Sequence, residues 1–160
     1  MQAGNNQENL HASILDRLVD FEPQTSHESV QYRLLNIGQI KKSVIRDLEN
    51  LLNARRCIIS PPASFKELNN SLFVYGLRDF TSSNPNSQPV RVQLRQDVEK
   101  TIARFEPRLK NVSVRFENAS KKDRAVRFRI SAMLVVEPIT EPVSFDTLFD
   151  INRTEYTISG

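Results

Sequence analysis

Val126-Arg127-Phe128-Arg129-Ile130-Ser131-Ala132-Met133-Leu134-Val135-Val136 is the stretch that decides the fold. Val126, Phe128, Ile130, Ala132, Leu134 and Val136 alternate with Arg127, Arg129, Ser131, Met133, Val135 and Glu137. A period of two belongs to a strand, whose successive side chains point to opposite faces. The later half is apolar on both faces, which predicts cover on both sides there. The pattern continues in both directions. Upstream, Val112, Val114 and Phe116 alternate with Ser113, Arg115 and Glu117, and residues 118–123 read as the hairpin connection. Downstream, Pro138 and Pro142 bracket a predicted turn, and Val143, Phe145, Thr147 and Phe149 alternate again. Thr154, Tyr156 and Ile158 close the chain as a predicted edge strand.

Before Pro107 the period is 3.6. Val90, Leu94, Val98, Ile102 and Phe105 form the buried stripe of a helix over residues 90–105, and the proline ends it. Within residues 30–56, Ile37, Ile40, Val44, Ile45, Leu48, Leu51 and Leu52 recur at spacings of three and four. Lys41, Lys42, Arg46, Asp47 and Glu49 take the wet side, and Arg55 and Arg56 fall in the expected last turn. A shorter helix begins at Ser13, with Ile14, Leu15, Leu18 and Val19 on one face, and stops before Pro23. Between the long helices, residues 64–80 read as short turns anchored by Phe65, Leu68, Leu72, Phe73, Tyr75, Leu77 and Phe80. Gly76 there marks a place that a side chain would obstruct. Residues 81–89 are a turn-rich loop, and residues 1–12 a flexible polar arm. Helices first and strands afterwards define an α+β class, with N-terminal helices packed on a mainly antiparallel sheet of about four strands. Residues 13–160 make a single domain on this reading.

Composition removes many functions. The 160 residues carry 22 Lys and Arg against 19 Asp and Glu, a net charge of +3, which argues only weakly for a polyanionic partner. The single cysteine, Cys57, excludes a disulfide framework and a thiolate-rich metal site; next to Ile58 and Ile59 it reads as a packed thiol. The two histidines, His11 and His27, lack recognisable ligand partners, so no metal or cofactor site is expected. No stretch approaches the roughly 20 apolar residues of a membrane helix, and the polar start is unlike a secretory signal. One thiol and no export signal fit a reducing cytosol.

Charge is uneven in the second half. Residues 110–130 hold seven cations (Lys110, Arg115, Lys121, Lys122, Arg124, Arg127, Arg129) against Glu117 and Asp123. Residues 137–155 hold Glu137, Glu141, Asp146, Asp150 and Glu155 against Arg153. Cross-strand ion pairs on the wet face are one reading; a strip that meets a complementary partner is the other. Arg127-Phe128-Arg129 resembles the base-and-aromatic mix of some RNA-binding sheets, but Phe128 shares a face with Ile130 and Leu134, which favours core packing.

Arg104-Phe105-Glu106-Pro107-Arg108-Leu109 sits where helix gives way to strand. A carboxylate between two arginines beside a proline fixes a corner by charge-assisted hydrogen bonds. A glycosidase acid instead needs a carboxyl kept protonated and a second carboxylate about 5–9 Å away. Flanking guanidinium groups favour the ionised form, and neither Glu99 nor Glu117 offers a nearby second carboxylate.

This segment, leading into Val112-Ser113-Val114, resembles the signature of the baseplate "lysozyme-like" proteins of contractile tails. Ser71-Leu72-Phe73-Val74-Tyr75-Gly76-Leu77-Arg78-Asp79-Phe80 matches a second family segment. Glu49-Asn50-Leu51-Leu52-Asn53-Ala54-Arg55-Arg56 is similar to the type VI secretion branch, the TssE subunits, and Leu15-Asp16-Arg17-Leu18 is also typical. The resemblance spans about residues 14–116. It implies a sheath-initiating subunit of a bacterial cytoplasmic baseplate docked at the inner membrane. The implied partners are the wedge proteins TssF, TssG and TssK and the sheath proteins TssB and TssC, with no nucleic acid and no membrane insertion. It implies no enzyme activity, "lysozyme" being a historical name. The rivals are a peptidoglycan hydrolase using Glu106 and the equivalent subunit of a phage or tailocin.

Three groups of residues follow as expected sites. Arg104, Glu106, Pro107 and Arg108 make a corner that serves the fold or a partner. Tyr75, Gly76, Leu77, Asp79 and Phe80, aromatics around a glycine in a connection, suit an interface anchor or a plug in the core. Tyr156 and Ile158 lie on a last strand with no later element to cover it, the expected sheath-facing edge.

Overall fold

The computed structural model describes residues 10–11, 13–18, 34–80, 87–117, 125–150 and 153–160. Strand β1 (Leu10–His11) precedes helix α1 (Ile14–Leu18), strand β2 (Leu34–Leu35) and the long helix α2 (Ile37–Asn53). A short helix α3 (Lys66–Asn69) and a 3-10 turn (Leu72–Val74) follow. Helix α4 (Gln88–Phe105) leads into the strands β3 (Leu109–Phe116), β4 (Ala125–Val136), β5 (Ile139–Asp150) and β6 (Glu155–Ser159). The last four form one antiparallel sheet in the order β3-β4-β5-β6, as the α+β pattern predicts.

Helix α2 starts at a reciprocal cap. The Asn36 side chain accepts from the Gln39 N–H at 2.9 Å, and the Gln39 side chain accepts from the Asn36 N–H at 2.9 Å. Such a box contributes about 1 kcal/mol. Ile40, Val44, Leu48, Leu51 and Leu52 of α2 and Leu94, Val98 and Ile102 of α4 are buried. They meet the inner face of the sheet, where Val114, Val126, Phe128, Ile130, Leu134, Phe145, Phe149, Tyr156 and Ile158 point inward. Each such side chain contributes about 1.5–3 kcal/mol by leaving water. Phe128, only 1% exposed, belongs to this core, as its shared face with Ile130 predicts.

The structure departs from the sequence expectations at several points. Of the arm expected over residues 1–12, Leu10 and His11 are described, and they pair with Leu34–Leu35 while Leu10 is wholly buried. Helix α2 ends at Asn53, so Arg55 and Arg56 lie beyond it rather than in its last turn. The chain then runs over the surface: Cys57, expected to be a packed thiol, is exposed beside the exposed Ile58 and Ile59, and so are Phe65, Leu68, Leu72 and Phe73, which were expected to anchor the connection. The apolar face of α1 is also open, with Ile14, Leu15 and Leu18 exposed. Pro142 does not bracket a turn. The turn is Glu137-Pro138, and Pro142 pairs with Met133 in a part of β5 that β6 does not reach, where a missing N–H costs no ladder bond. The later half of β4 is covered on one side only, because nothing packs fully over Met133 and Val135. The helix end expected near Pro23, residues 81–86 of the expected loop and the hairpin connection expected at 118–123 lie outside the described residues, as does His27.

Candidate functional site

The helix-to-strand corner forms around one guanidinium group. Glu106 caps α4, its N–H donating to the Ile102 carbonyl at 2.8 Å, and it is 4% exposed. Its Oε1 accepts from the Arg108 backbone N–H at 3.2 Å and from Nε at 2.7 Å, while Oε2 accepts from Nη2 at 2.6 Å. The same Nη2 donates to Asp47 Oδ2 of α2 at 2.6 Å. The other Asp47 oxygen accepts from Arg46 at 2.9 and 3.0 Å, and Ser43 Oγ lies 3.4 Å from Arg108 Nη1. Every carboxylate oxygen of Glu106 and Asp47 is therefore engaged by an arginine. Burial works against the charged Arg108, but the hydrogen bonds and charge of Glu106, then of Asp47, outweigh it and hold the group above the usual arginine value.

Asp47 stands 61 positions from Arg108, and its helical position alone puts it on the wet side of α2, not in this corner. A signal was available. Ser43 and Asp47, four apart, flank one side of the apolar stripe, and Glu49 and Asn53, also four apart, flank the other. Arg104 was expected in the corner but is exposed and makes no ion pair among the described residues. Pro107 is exposed in the turn.

Residues 75–80 divide. Gly76 and Leu77 are buried, and Leu77 forms a parallel bridge with Arg55 through bonds from its N–H to Ala54 (3.0 Å) and from the Arg56 N–H to its carbonyl (2.9 Å). Tyr75 meets Phe105 edge-on at 5.2 Å, and both Tyr75 and Phe80 pack against the core. Asp79 remains exposed, 3.9 Å from Arg55. A second ion cluster secures this connection. Asp97 of α4, 6% exposed, accepts from Arg56 at 2.9 Å, from Arg78 Nε at 3.2 Å and from the Arg78 N–H at 3.1 Å.

The expected open edge at β6 is closed by α2. Asn53 accepts from the Tyr156 N–H at 2.7 Å and donates to its carbonyl at 2.9 Å, as a neighbouring strand would, and Glu49 accepts from the Ile158 N–H at 2.8 Å. The side chains of Tyr156 and Ile158 point into the core. Glu99 of α4 does the same at the opposite edge, accepting from the Val114 N–H at 2.9 Å. Burial, with the charge of Asp97 added, holds the Tyr156 hydroxyl above its ordinary range. The folded state thus keeps this proton longer than the unfolded chain. Stability is complete below about pH 10 and falls above it, by at most about 1.4 kcal/mol per pH unit from this group. Tyr156→Phe is expected to flatten that alkaline loss in urea unfolding compared between pH 8 and 11. Tyr75, shifted the same way by burial and by Asp47 and Glu106, adds to the slope that remains.

The family model for baseplate wedge protein gp25 matches residues 38–139. The chain belongs to the gp25 baseplate wedge family. The match runs from the start of α2 through the Glu106–Arg108 corner to the β4–β5 turn, so it contains both ion clusters. No curated protein matches the chain. Among solved structures, a chain of "The baseplate complex from the type VI secretion system" is similar, with 18% identity over 69% of this chain and 94% of that one and a TM-score of 0.49. Among the described residues no group of His, Cys, Asp and Glu is arranged to hold a metal, and no helix is long and apolar enough to cross a membrane.

Proposed function

We propose that this gp25-family chain is a non-catalytic wedge subunit of a type VI secretion baseplate, linking the wedge to the contractile sheath and starting sheath polymerisation. The observation that carries the non-catalytic part is the Arg108 clamp. The structure brings a second carboxylate, Asp47, to Glu106 at this corner, but every oxygen of both is bonded to an arginine inside the protein, Glu106 to Arg108 and Asp47 to Arg108 and Arg46. The Glu49-to-Arg56 segment supports the secretion branch over a phage or tailocin origin. The proposed partners are TssF, TssG and TssK on the wedge side and TssB–TssC on the sheath side, in a cytoplasmic baseplate at the inner membrane.

Because Gly76, Leu77, Tyr156 and Ile158 are buried, partner contacts fall to their exposed neighbours. Asp79, Arg104 and the open apolar side chains of Ile58, Ile59, Phe65 and Leu72 are the surface that the fold leaves available. Exposed apolar groups gathered on one connection are the usual material of a protein interface.

The test is a chromosomal deletion complemented with the tagged chain. Complementation is expected to restore fluorescent sheath assembly and to co-purify wedge subunits. Purified protein is expected to release no reducing sugar from cell-wall glycan. Enzyme-like release that Glu106→Gln abolishes refutes the non-catalytic reading, and normal sheath assembly without the chain refutes the initiating role.

A further inference from the structure

Helix α4 is held to the body through Leu94, Val98 and Ile102, and its opposite side is exposed. Val92, Gln96 and Ala103, four and seven residues apart, form a narrow stripe along that side. Lys100 and Arg104 flank the stripe on one side and Arg95 on the other. All three are exposed and make no ion pair among the described residues. Lys100 and Arg104 stand at i and i+4, where like charges repel. The two acids of α4 are engaged away from this side. Asp97 is buried and shared by Arg56 and Arg78, and Glu99 accepts from the Val114 N–H at the sheet edge. The acids of the neighbouring elements are also engaged. Arg108 holds Asp47 and Glu106, Glu49 accepts from the Ile158 N–H, and Asp79 lies 3.9 Å from Arg55. Strand β3, packed beside α4, contains no acid from Leu109 to Phe116.

We infer that this side of α4 receives an acidic helix of a protein partner. The partner helix lies along the stripe, where the small side chain of Ala103 allows the close approach of about 8–10 Å at which helices pack. Its carboxylates meet Lys100 and Arg104 on one flank and Arg95 on the other. Charges that flank a helix seam in this way set the choice and orientation of the partner. A second copy of this chain is disfavoured, because it brings the same three cations to the contact. Nucleic acid is disfavoured, because three cations release too few counterions to hold it firmly at physiological salt. The inference goes beyond the sheath-initiating role and does not depend on it.

Fluorescence anisotropy on the full chain at physiological ionic strength tests this. The probes are a labelled helical peptide with an Ala and Leu stripe flanked by Glu, its Lys-flanked counterpart, and an oligothymidylate of equal length. The Glu-flanked peptide is expected to bind and the Lys-flanked one is not. Arg95→Gln/Lys100→Gln/Arg104→Gln is expected to weaken binding about tenfold. Lys66→Gln/Arg127→Gln/Arg153→Gln, an equal charge change at exposed positions elsewhere, is expected to leave it within about twofold. Circular dichroism checks the fold of each variant. Should the first triple variant unfold, Arg95→Gln/Lys100→Gln, which leaves the last turn of α4 unchanged, is expected to weaken binding about fivefold. The inference is overturned if the Glu-flanked peptide does not bind, if the Lys-flanked peptide binds as well, if folded variants on and off α4 weaken binding equally, or if the oligonucleotide binds more tightly.

Discussion

Gly76→Val is expected to abolish the folded state at 37 °C. Gly76 has φ +92°, in the left-handed region that a β-branched residue essentially never adopts. A Cβ added there meets the Ala54 carbonyl oxygen at 2.2 Å and its carbon at 2.7 Å. Those atoms are backbone and cannot swing aside, and the same carbonyl accepts the Leu77 N–H. Relief requires prising residues 75–80 away from the end of α2. That breaks the Arg55–Leu77 bridge and moves Arg78 off the buried Asp97. Backbone strain alone costs about 1–3 kcal/mol, and the lost bonds and burial raise the total above about 4 kcal/mol, a large part of a stability of about 5–15 kcal/mol. Even Gly76→Ala carries the same Cβ contact, so it too is expected to be strongly destabilising. Soluble yield and thermal unfolding read the effect. A Gly76→Val protein melting within a few degrees of the parent refutes this account of the turn.

Arg108→Ala comes next in size. It strands Glu106, almost wholly buried, and removes one of the two arginines that hold Asp47, leaving Arg46. Breaking a buried pair by deleting one partner costs about 3–5 kcal/mol. Glu106→Gln is expected to cost less, because Arg108 keeps Asp47. Arg108→Lys should recover only part, since an ammonium cannot reproduce the fork that spans both carboxylates. The expected order of stability is parent, Glu106→Gln, Arg108→Lys, Arg108→Ala, measured by urea unfolding followed by circular dichroism. Asp47→Ala should cost much less in an Arg108→Ala background than alone, because the two share one network. A fully stable Arg108→Ala that still fails to support sheath assembly assigns the corner to a partner and not to the fold.

The α+β class, the strands around 126–136 and the helix ending before Glu106 were legible in the chain, as was the existence of the long helix, though not its end at Asn53. They depend on hydrophobic period and on prolines, which act over a few residues. The obstruction at Gly76 was legible for the same local reason, although its cause, the Ala54 carbonyl, was not. The Glu106–Arg108 pair was visible because its members are two apart. What the tertiary structure alone decided is where distant polar groups meet. Asp47 joins Arg108, Asp97 gathers Arg56 and Arg78, and Asn53 with Glu49 seals the strand edge that the end of the chain seemed to leave open. Tyr156 and Ile158 alternate as an edge strand should, but alternation says nothing about which side chains from elsewhere bond its backbone. Likewise, the sequence suggested that Cys57, Phe65 and Leu72 are packed, and only the path of the chain after α2 shows them exposed. Periodicity is a property of neighbours in sequence. Burial and charge pairing are properties of neighbours in space, and 61 residues separate the two partners of the clamp that defines this corner.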